Sequence, residues 1–271
     1  MPDHATVPGS AAQQHIDTSV PHSARIWNYW LGGKDNYPVD EAAGDAYSAV
    51  FPGIVTVARS SRTFLRRTIT HLVDEAGIRQ FLDIGTGLPT VDNTHEVAQR
   101  LAPEARIVYV DHDPMVLAHA RALLTSTPEG TTAYIDADLV DPDRILAVAA
   151  KSLDLAQPVA LILSNILGHL DDYEQARTIV ARLMDGLPSG SYLCVNDGSR
   201  GTDADYERAQ DAYNDTGAVP YFLRPVDQIT AFFDGLELLD PGVVSVPVWR
   251  PEPGSPVPVP IGEHGGLARK P

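Results

Sequence analysis

The stretch that most constrains this chain is Phe81-Leu82-Asp83-Ile84-Gly85-Thr86-Gly87-Leu88-Pro89-Thr90. An apolar run carrying one acid ends at Ile84, two glycines follow one residue apart, and a helical pattern begins near Asn93. Physically, a buried strand stops at Ile84 and the chain turns sharply at its carboxyl end. Glycine lacks Cβ and tolerates positive φ, so at 85 and 87 the backbone can touch a ligand directly. Such a loop between a parallel strand and a helix is a seat for a nucleoside-containing cofactor.

Two cofactor classes compete for it. A dinucleotide fingerprint asks for G-x-G-x-x-G, the third glycine letting helix and strand approach closely. Here Thr90 holds the third position, and Pro89 removes a backbone donor that a pyrophosphate could use. Asp83 adds a carboxylate where the pyrophosphate would lie. The same acid suits S-adenosylmethionine, which carries an ammonium and a sulfonium and no phosphate.

Beyond the loop the pattern alternates. Arg106 to Asp111 reads as a buried strand ending in an acid, and Asp113-Pro114 opens a helix running to about Leu124. Thr131 to Ile135 is a third strand, ending at Asp136-Ala137-Asp138, and Asp141-Pro142 opens another helix. Pro158 to Leu163 is apolar enough for a central strand buried on both faces. Asp171 to Met184 is helical, and Ser191 to Asn196 is a fifth strand. This rhythm predicts a Rossmann-like, mostly parallel, doubly wound α/β sheet of seven strands. Helices are expected near Asp203–Tyr213 and Val226–Phe233. Leu236–Leu239 and Val243–Val248, joined by Asp240-Pro241-Gly242, should form a terminal antiparallel hairpin.

The expected organisation is a disordered or loosely docked arm over 1–20, an N-terminal helical cap over 21–78, a cofactor-binding domain over 79–250 and a Pro/Gly-rich extended tail over 251–271. In the cap, Val55, Ala58, Leu65, Ile69 and Leu72 share one helical face. Ser23 is a candidate cap for a helix over Arg25–Leu31, which Gly32-Gly33 would end. That helix holds Trp27 and Trp30. It reads either as an amphipathic helix stapled to the core, or as a lid in which Asn28, Tyr29 and Lys34 supply polar contacts to a ligand.

Composition narrows the function classes. With 44% hydrophobic and 21% charged residues the 271-residue chain is ordinary globular material, and a net charge of −16 opposes a phosphate-tracking surface. The dense basic run, Arg59, Arg62, Arg66 and Arg67, reads as a solvated helix face. The single Cys194 cannot form an intrachain disulfide, and no metal-ligand spacing exists. The first twenty residues lack an apolar signal core and no stretch approaches membrane-spanning length, so a cytoplasmic protein without nucleic-acid or membrane partners is expected.

Acids at three successive strand ends should converge on the crevice beside the glycine loop. Asp111, 26 positions after Gly85, can accept both ribose hydroxyls; its plainer role is capping, for which Asp113 already serves. Asp138 can accept the adenine amino group. Ser164 and Asn165, after the fourth strand, should line the methionine end of the cofactor.

Six blocks stand out together: Ala24-Arg25, Trp30-Leu31-Gly32-Gly33-Lys34-Asp35-Asn36-Tyr37, Asp83 to Thr90, Asn93-Thr94-His95-Glu96-Val97-Ala98, Tyr109-Val110-Asp111-His112-Asp113-Pro114 and Pro188-Ser189-Gly190-Ser191-Tyr192-Leu193. In them the chain resembles an actinobacterial family of S-adenosylmethionine-dependent methyltransferases once classed as a domain of unknown function. The resemblance covers about Pro21 to Arg250 and implies a class I methyltransferase fold and that cofactor. With the residues above, it gives an expected cofactor set of Tyr29, Asp83, Gly85, Thr86, Gly87, Asn93, Asp111, His112, Asp138 and Ser164. The family commonly reads Leu-His-Phe after the fourth strand, where Leu167-Gly168-His169 stands here.

The expected activity is methyl transfer to a small-molecule acceptor. Positioning supplies much of the acceleration in such a displacement, and a general base matters when the acceptor must lose a proton. His169 is the candidate base, with His95 and Asp197 behind it. A silent S-adenosylmethionine-binding regulator and a nicotinamide-dependent oxidoreductase are the alternatives.

Overall fold

The computed structural model describes residues 17–123 and 125–271. In chain order the helices are α1 (Ser23–Trp30), α2 (Pro38–Val50), α3 (Ile54–Asp74), α4 (Thr94–Leu101), α5 (Pro114–Leu123), α6 (Pro142–Ala149), α7 (Tyr173–Asp185), α8 (Ala204–Asn214) and α9 (Val226–Ala231). The strands are β1 (Gln80–Ile84), β2 (Arg106–Asp111), β3 (Thr131–Asp136), β4 (Ala160–Ser164), β5 (Tyr192–Gly198), β6 (Glu237–Leu238), β7 (Val244–Ser245) and β8 (Glu263–Arg269). The expected arm lies, for its first sixteen positions, outside the described residues.

The sheet order is β3-β2-β1-β4-β5-β8-β6, parallel from β3 to β5 and antiparallel from β5 onward. Strand alternation decides which layer each residue meets. Leu82, Ile84, Val108, Val110, Leu161 and Leu163 pack against α6 and α7. Phe81, Ile107, Tyr109 and Ile162 pack against Phe64, Leu65, Ile69 and Leu72 of α3 and against α4. The long helix of the expected cap is therefore a layer of the sandwich, and the boundary at 78 separates no packed bodies. A third apolar cluster joins α1, α2, the start of α3 and α8 through Ile26, Trp30, Tyr47, Ile54, Tyr206 and Tyr213.

Residues 251–271 depart from the expected tail. Glu263–Arg269 enters the sheet as β8, pairing β5 from Tyr192↔Arg269 to Gly198↔Glu263. The other edge of β8 takes both β6 and β7, so the expected hairpin is absent and its two arms each pair β8 instead. Two glycines permit the insertion. A Cβ at Gly265 would stand 2.6 Å from the Asn196 Cβ, and one at Gly266 would stand 3.1 Å from a Val243 methyl. The glycines that read as tail composition mark a strand closely approached by both neighbours.

At the amino end, Arg25 and Asp40 form a buried ion pair at 2.7 Å, and Asp40 also accepts the His22 and Tyr37 N–H groups. His22, rather than the expected Ser23, caps α1, its Nδ1 accepting the Ala24 N–H at 3.2 Å. Gly32, at φ 80°, ends the helix as expected.

Candidate active site

A cavity opens at the carboxyl ends of β1, β2 and β4, where a doubly wound sheet places its ligands. Its floor is the loop after β1, with Gly85 at φ 75° and Gly87 at φ 62°. A Cβ on Gly85 would lie 2.4 Å from the Ile166 side chain, so glycine lets this loop touch the loop after β4. α1, α3 and α8 contribute Trp27, Trp30, Ser61, Arg62, Tyr206, Gln210 and Tyr213 to the walls.

Asp83 points to the α3 side of β1. It is buried, accepts the Thr94 hydroxyl at 2.6 Å, and faces the charge of Arg62. Burial pushes its carboxyl up to about 6, against the opposing pull of Thr94 and Arg62. Burial likewise lowers the Arg62 guanidinium, which hydrogen-bonds Thr90 and has an unpartnered buried Nε. Asp111 ends β2 with its oxygens on the Gly87 N–H at 3.1 Å and the Asp113 N–H at 2.9 Å. Burial raises its pKa and those two N–H groups oppose the rise.

Of the expected residues, Asp83, Gly85, Thr86, Gly87, Asp111, His112, Ser164 and His169 line this one cavity. Three do not. Tyr29 turns to α2, donating to Asp45 at 2.7 Å, while Trp27 and Trp30 of the same helix face the cavity. Asn93 forms a capping box with Glu96 and grips Thr90, shaping the loop from behind. Asp138 is exposed and accepts the Val140 N–H at 3.1 Å, a local turn beyond the cavity wall. The expected lid contacts of Asn28 and Lys34 are not among the lining residues either. Asn28 is buried and holds the following turn through Asp35 and Asn36.

The arginine run is not a uniform solvated face. Arg62 enters the cavity, Arg67 bonds the carbonyls of Trp249 and Val246, and Arg66 pairs with Glu252. Arg62 is a cavity-lining residue that sequence reasoning passed over. Its signal was position: a cation four residues after Ala58 and three before Leu65, inside the apolar stripe of α3.

His169 lies in a single turn after β4. Its Nδ1 stands 2.7 Å from the Pro220 carbonyl, so that nitrogen carries the proton and Nε2 is left as an acceptor. Burial lowers its pKa. Tyr221 packs edge-on against the ring at 5.2 Å. Gly168 makes room for that tyrosine, because a Cβ at 168 would stand 2.3 Å from the Tyr221 ring. His95 lies elsewhere, buried on α4 against the Tyr109 hydroxyl.

The donor set suits the expected cofactor. A buried carboxylate beside a buried guanidinium complements the zwitterionic end of an amino acid, and acids flanking the glycine loop would repel a pyrophosphate. The sequence model of the S-adenosyl methyltransferase family matches residues 9–271. The chain belongs to that family. As an S-adenosyl methyltransferase it uses S-adenosylmethionine, and the nicotinamide and silent-regulator alternatives are not borne out.

Two solved structures are similar to this methyltransferase along nearly their whole length. A protein of the DUF574 family from Streptomyces avermitilis shares 45% identity, covering 95% of this chain and 100% of its own, with a TM-score of 0.88. A candidate methyltransferase from Thermobifida fusca shares 37% identity, covering 94% and 96%, with a TM-score of 0.85. The plantazolicin methyltransferase, at 11% identity, 92% and 96% coverage and a TM-score of 0.52, shares the fold. No curated protein matches the chain. Among the described residues no helix is long and apolar enough to cross a membrane, and no cluster of three or more His, Cys, Asp or Glu residues could hold a metal.

Proposed function

We propose that this methyltransferase acts on a small molecule held in the aromatic half of the cavity. The observation that carries this reading is the chamber itself: Trp27, Trp30, Tyr206, Tyr213 and Tyr221 line it under α1 and α8. Aromatic walls roofed by helices suit a compact, largely apolar acceptor. A surface of net charge −16 gives no electrostatic attraction to nucleic acid.

In this reading Asp83 takes the ammonium of the cofactor's methionine end and Arg62 its carboxylate. Asp111 accepts the ribose hydroxyls while the Gly87 N–H fixes its carboxylate. His112 and Val116 flank the base, replacing the adenine contact expected of Asp138. Ser164 and Asn165 lie toward the methyl group. Bound there, the cofactor supplies an electrophilic methyl on sulfur. The protein's part is to bring the acceptor in line with it and to keep water out, and positioning of this kind accounts for much of the rate. Trp27 and Trp30 perform the exclusion.

The test is a metabolite screen with S-adenosylmethionine labelled in the methyl group. Label should appear in a small molecule. Label found only in macromolecular fractions would contradict the reading.

A further inference from the structure

Asp197, near the end of β5, is 1% exposed, yet its Oδ2 has no hydrogen-bond partner. A buried carboxylate oxygen left open in a native fold calls for a functional explanation. Its Oδ1 accepts the Tyr221 hydroxyl at 2.7 Å and lies 3.4 Å from the Gly168 N–H. Tyr221 lines the cavity, and its oxygen accepts the Gly198 N–H at 3.0 Å. A phenol oxygen has one donor and two acceptor sites, so one lone pair remains for a donor arriving from the cavity. That oxygen is 3.4 Å from Asn165 Oδ1, which places it next to the loop after β4 and the methyl end of the site.

We propose that Tyr221 and Asp197 form the proton path for methyl transfer to a hydroxyl acceptor, with Tyr221 taking the acceptor's proton as its own passes to Asp197. This rests on the small-molecule reading above. The acceptor oxygen forms the new bond to the methyl carbon with a lone pair. The carbon–sulfur bond breaks with its electrons staying on sulfur. The O–H proton moves to Tyr221 Oη, the Tyr221 proton moves to Asp197 Oδ1, and the step ends with a neutral thioether, a methyl ether and a neutral Asp197.

The surrounding charges suit this task. Burial pushes Asp197 up to about 6, which leaves it ionised at neutral pH and basic enough to take a proton. Arg224 lowers that value, but donates its own N–H groups to the carbonyls of Leu167 and Leu170, so it does not occupy the carboxylate. Glu263, the phenol of Tyr206, His169 against the Tyr221 ring and His264, the cross-strand partner of Asp197, also stand near the pair. His169 is less well equipped. Protonation at Nε2 would create a half-buried imidazolium whose Nδ1 faces a carbonyl, with no carboxylate bonded to it.

The test uses the full chain loaded with sinefungin, which carries an amine where the methylsulfonium stands, and 2-chloro-4-nitrophenol, a phenol more acidic than Asp197, as the hydroxyl probe. At about pH 8 the free probe and the free Asp197 carboxyl are both ionised. Wild type should bind the probe with the visible absorbance of its ionised form and take up a proton onto Asp197 as it does so, the uptake being read by calorimetry in two buffers of different ionisation enthalpy. Tyr221→Phe and Asp197→Asn should bind sinefungin normally and lower that uptake by about half or more. Uptake retained in both variants, no uptake in wild type, or no binding of the probe would overturn the proton path. Should Asp197→Asn fail to fold, Tyr221→Phe decides alone. Failure of wild type to bind sinefungin would instead overturn the cofactor site, and the proton path with it.

Discussion

The imidazole of His22 stands 2.5 Å from the carboxylate of Asp113. Its Nδ1 accepts the Ala24 N–H, so Nε2 carries the proton and donates it to Asp113. The first helix, with its two tryptophans, is thereby latched to the loop that follows Asp111.

His22→Ala should release that latch without unfolding α1. The hydrogen bond from this partly exposed, neutral imidazole contributes about 1 kcal/mol, so S-adenosylmethionine should dissociate about fivefold faster. Stopped-flow displacement would measure this. An unchanged release rate would mean that α1 roofs the cavity without gating it.

Arg62 can be tested by comparing two ligands. Arg62→Ala should weaken S-adenosylhomocysteine binding by about 1.5–3 kcal/mol, the range for hydrogen bonds to a charged group. It should leave 5′-methylthioadenosine, which lacks the amino-acid end, close to its wild-type affinity. Equal losses for both would show that Arg62 acts by holding Thr90 and the loop.

Glu263 governs a pH dependence. It is fully buried, accepts the amides of Asn165 and Asn196, and is pushed up to about 7 from its ordinary 4.5 by burial. The folded state therefore keeps a proton that the unfolded chain gives up. Its contribution is full below 4.5 and is lost as pH rises through about 7, on the order of 3 kcal/mol in all. Asp83 and Asp197, each raised to about 6, slope the same way. Urea unfolding at about pH 5 and about pH 8 should show wild type losing stability with pH and Glu263→Gln losing distinctly less. Parallel curves would refute the assignment to Glu263.

The strand-end residues were legible in the sequence because a run that stops at an acid or a glycine says where a parallel strand ends. Asp83, Gly85, Gly87 and Asp111 follow from that rule. Asp138 fails it by distance: it lies two residues past Asp136, enough chain for a local turn to carry it away. Tyr29 fails because helical spacing fixed a shared face for Trp27 and Trp30 but not which neighbour that face would meet. Tyr221 was out of reach for another reason. It comes from the irregular segment between α8 and α9, and its seat depends on the bare Cα of Gly168, a long-range fit that no local pattern encodes. The glycine-containing β8 was hidden likewise, since only its neighbours explain its composition.

The central claim is that S-adenosylmethionine binds at the carboxyl ends of β1, β2 and β4 with its ribose on Asp111. Calorimetric titration of S-adenosylmethionine into wild type and Asp111→Ala tests it most directly. One site per chain is expected in the wild type, with a loss of about 1.5–3 kcal/mol in the variant. Unchanged affinity in a folded Asp111→Ala protein would contradict it.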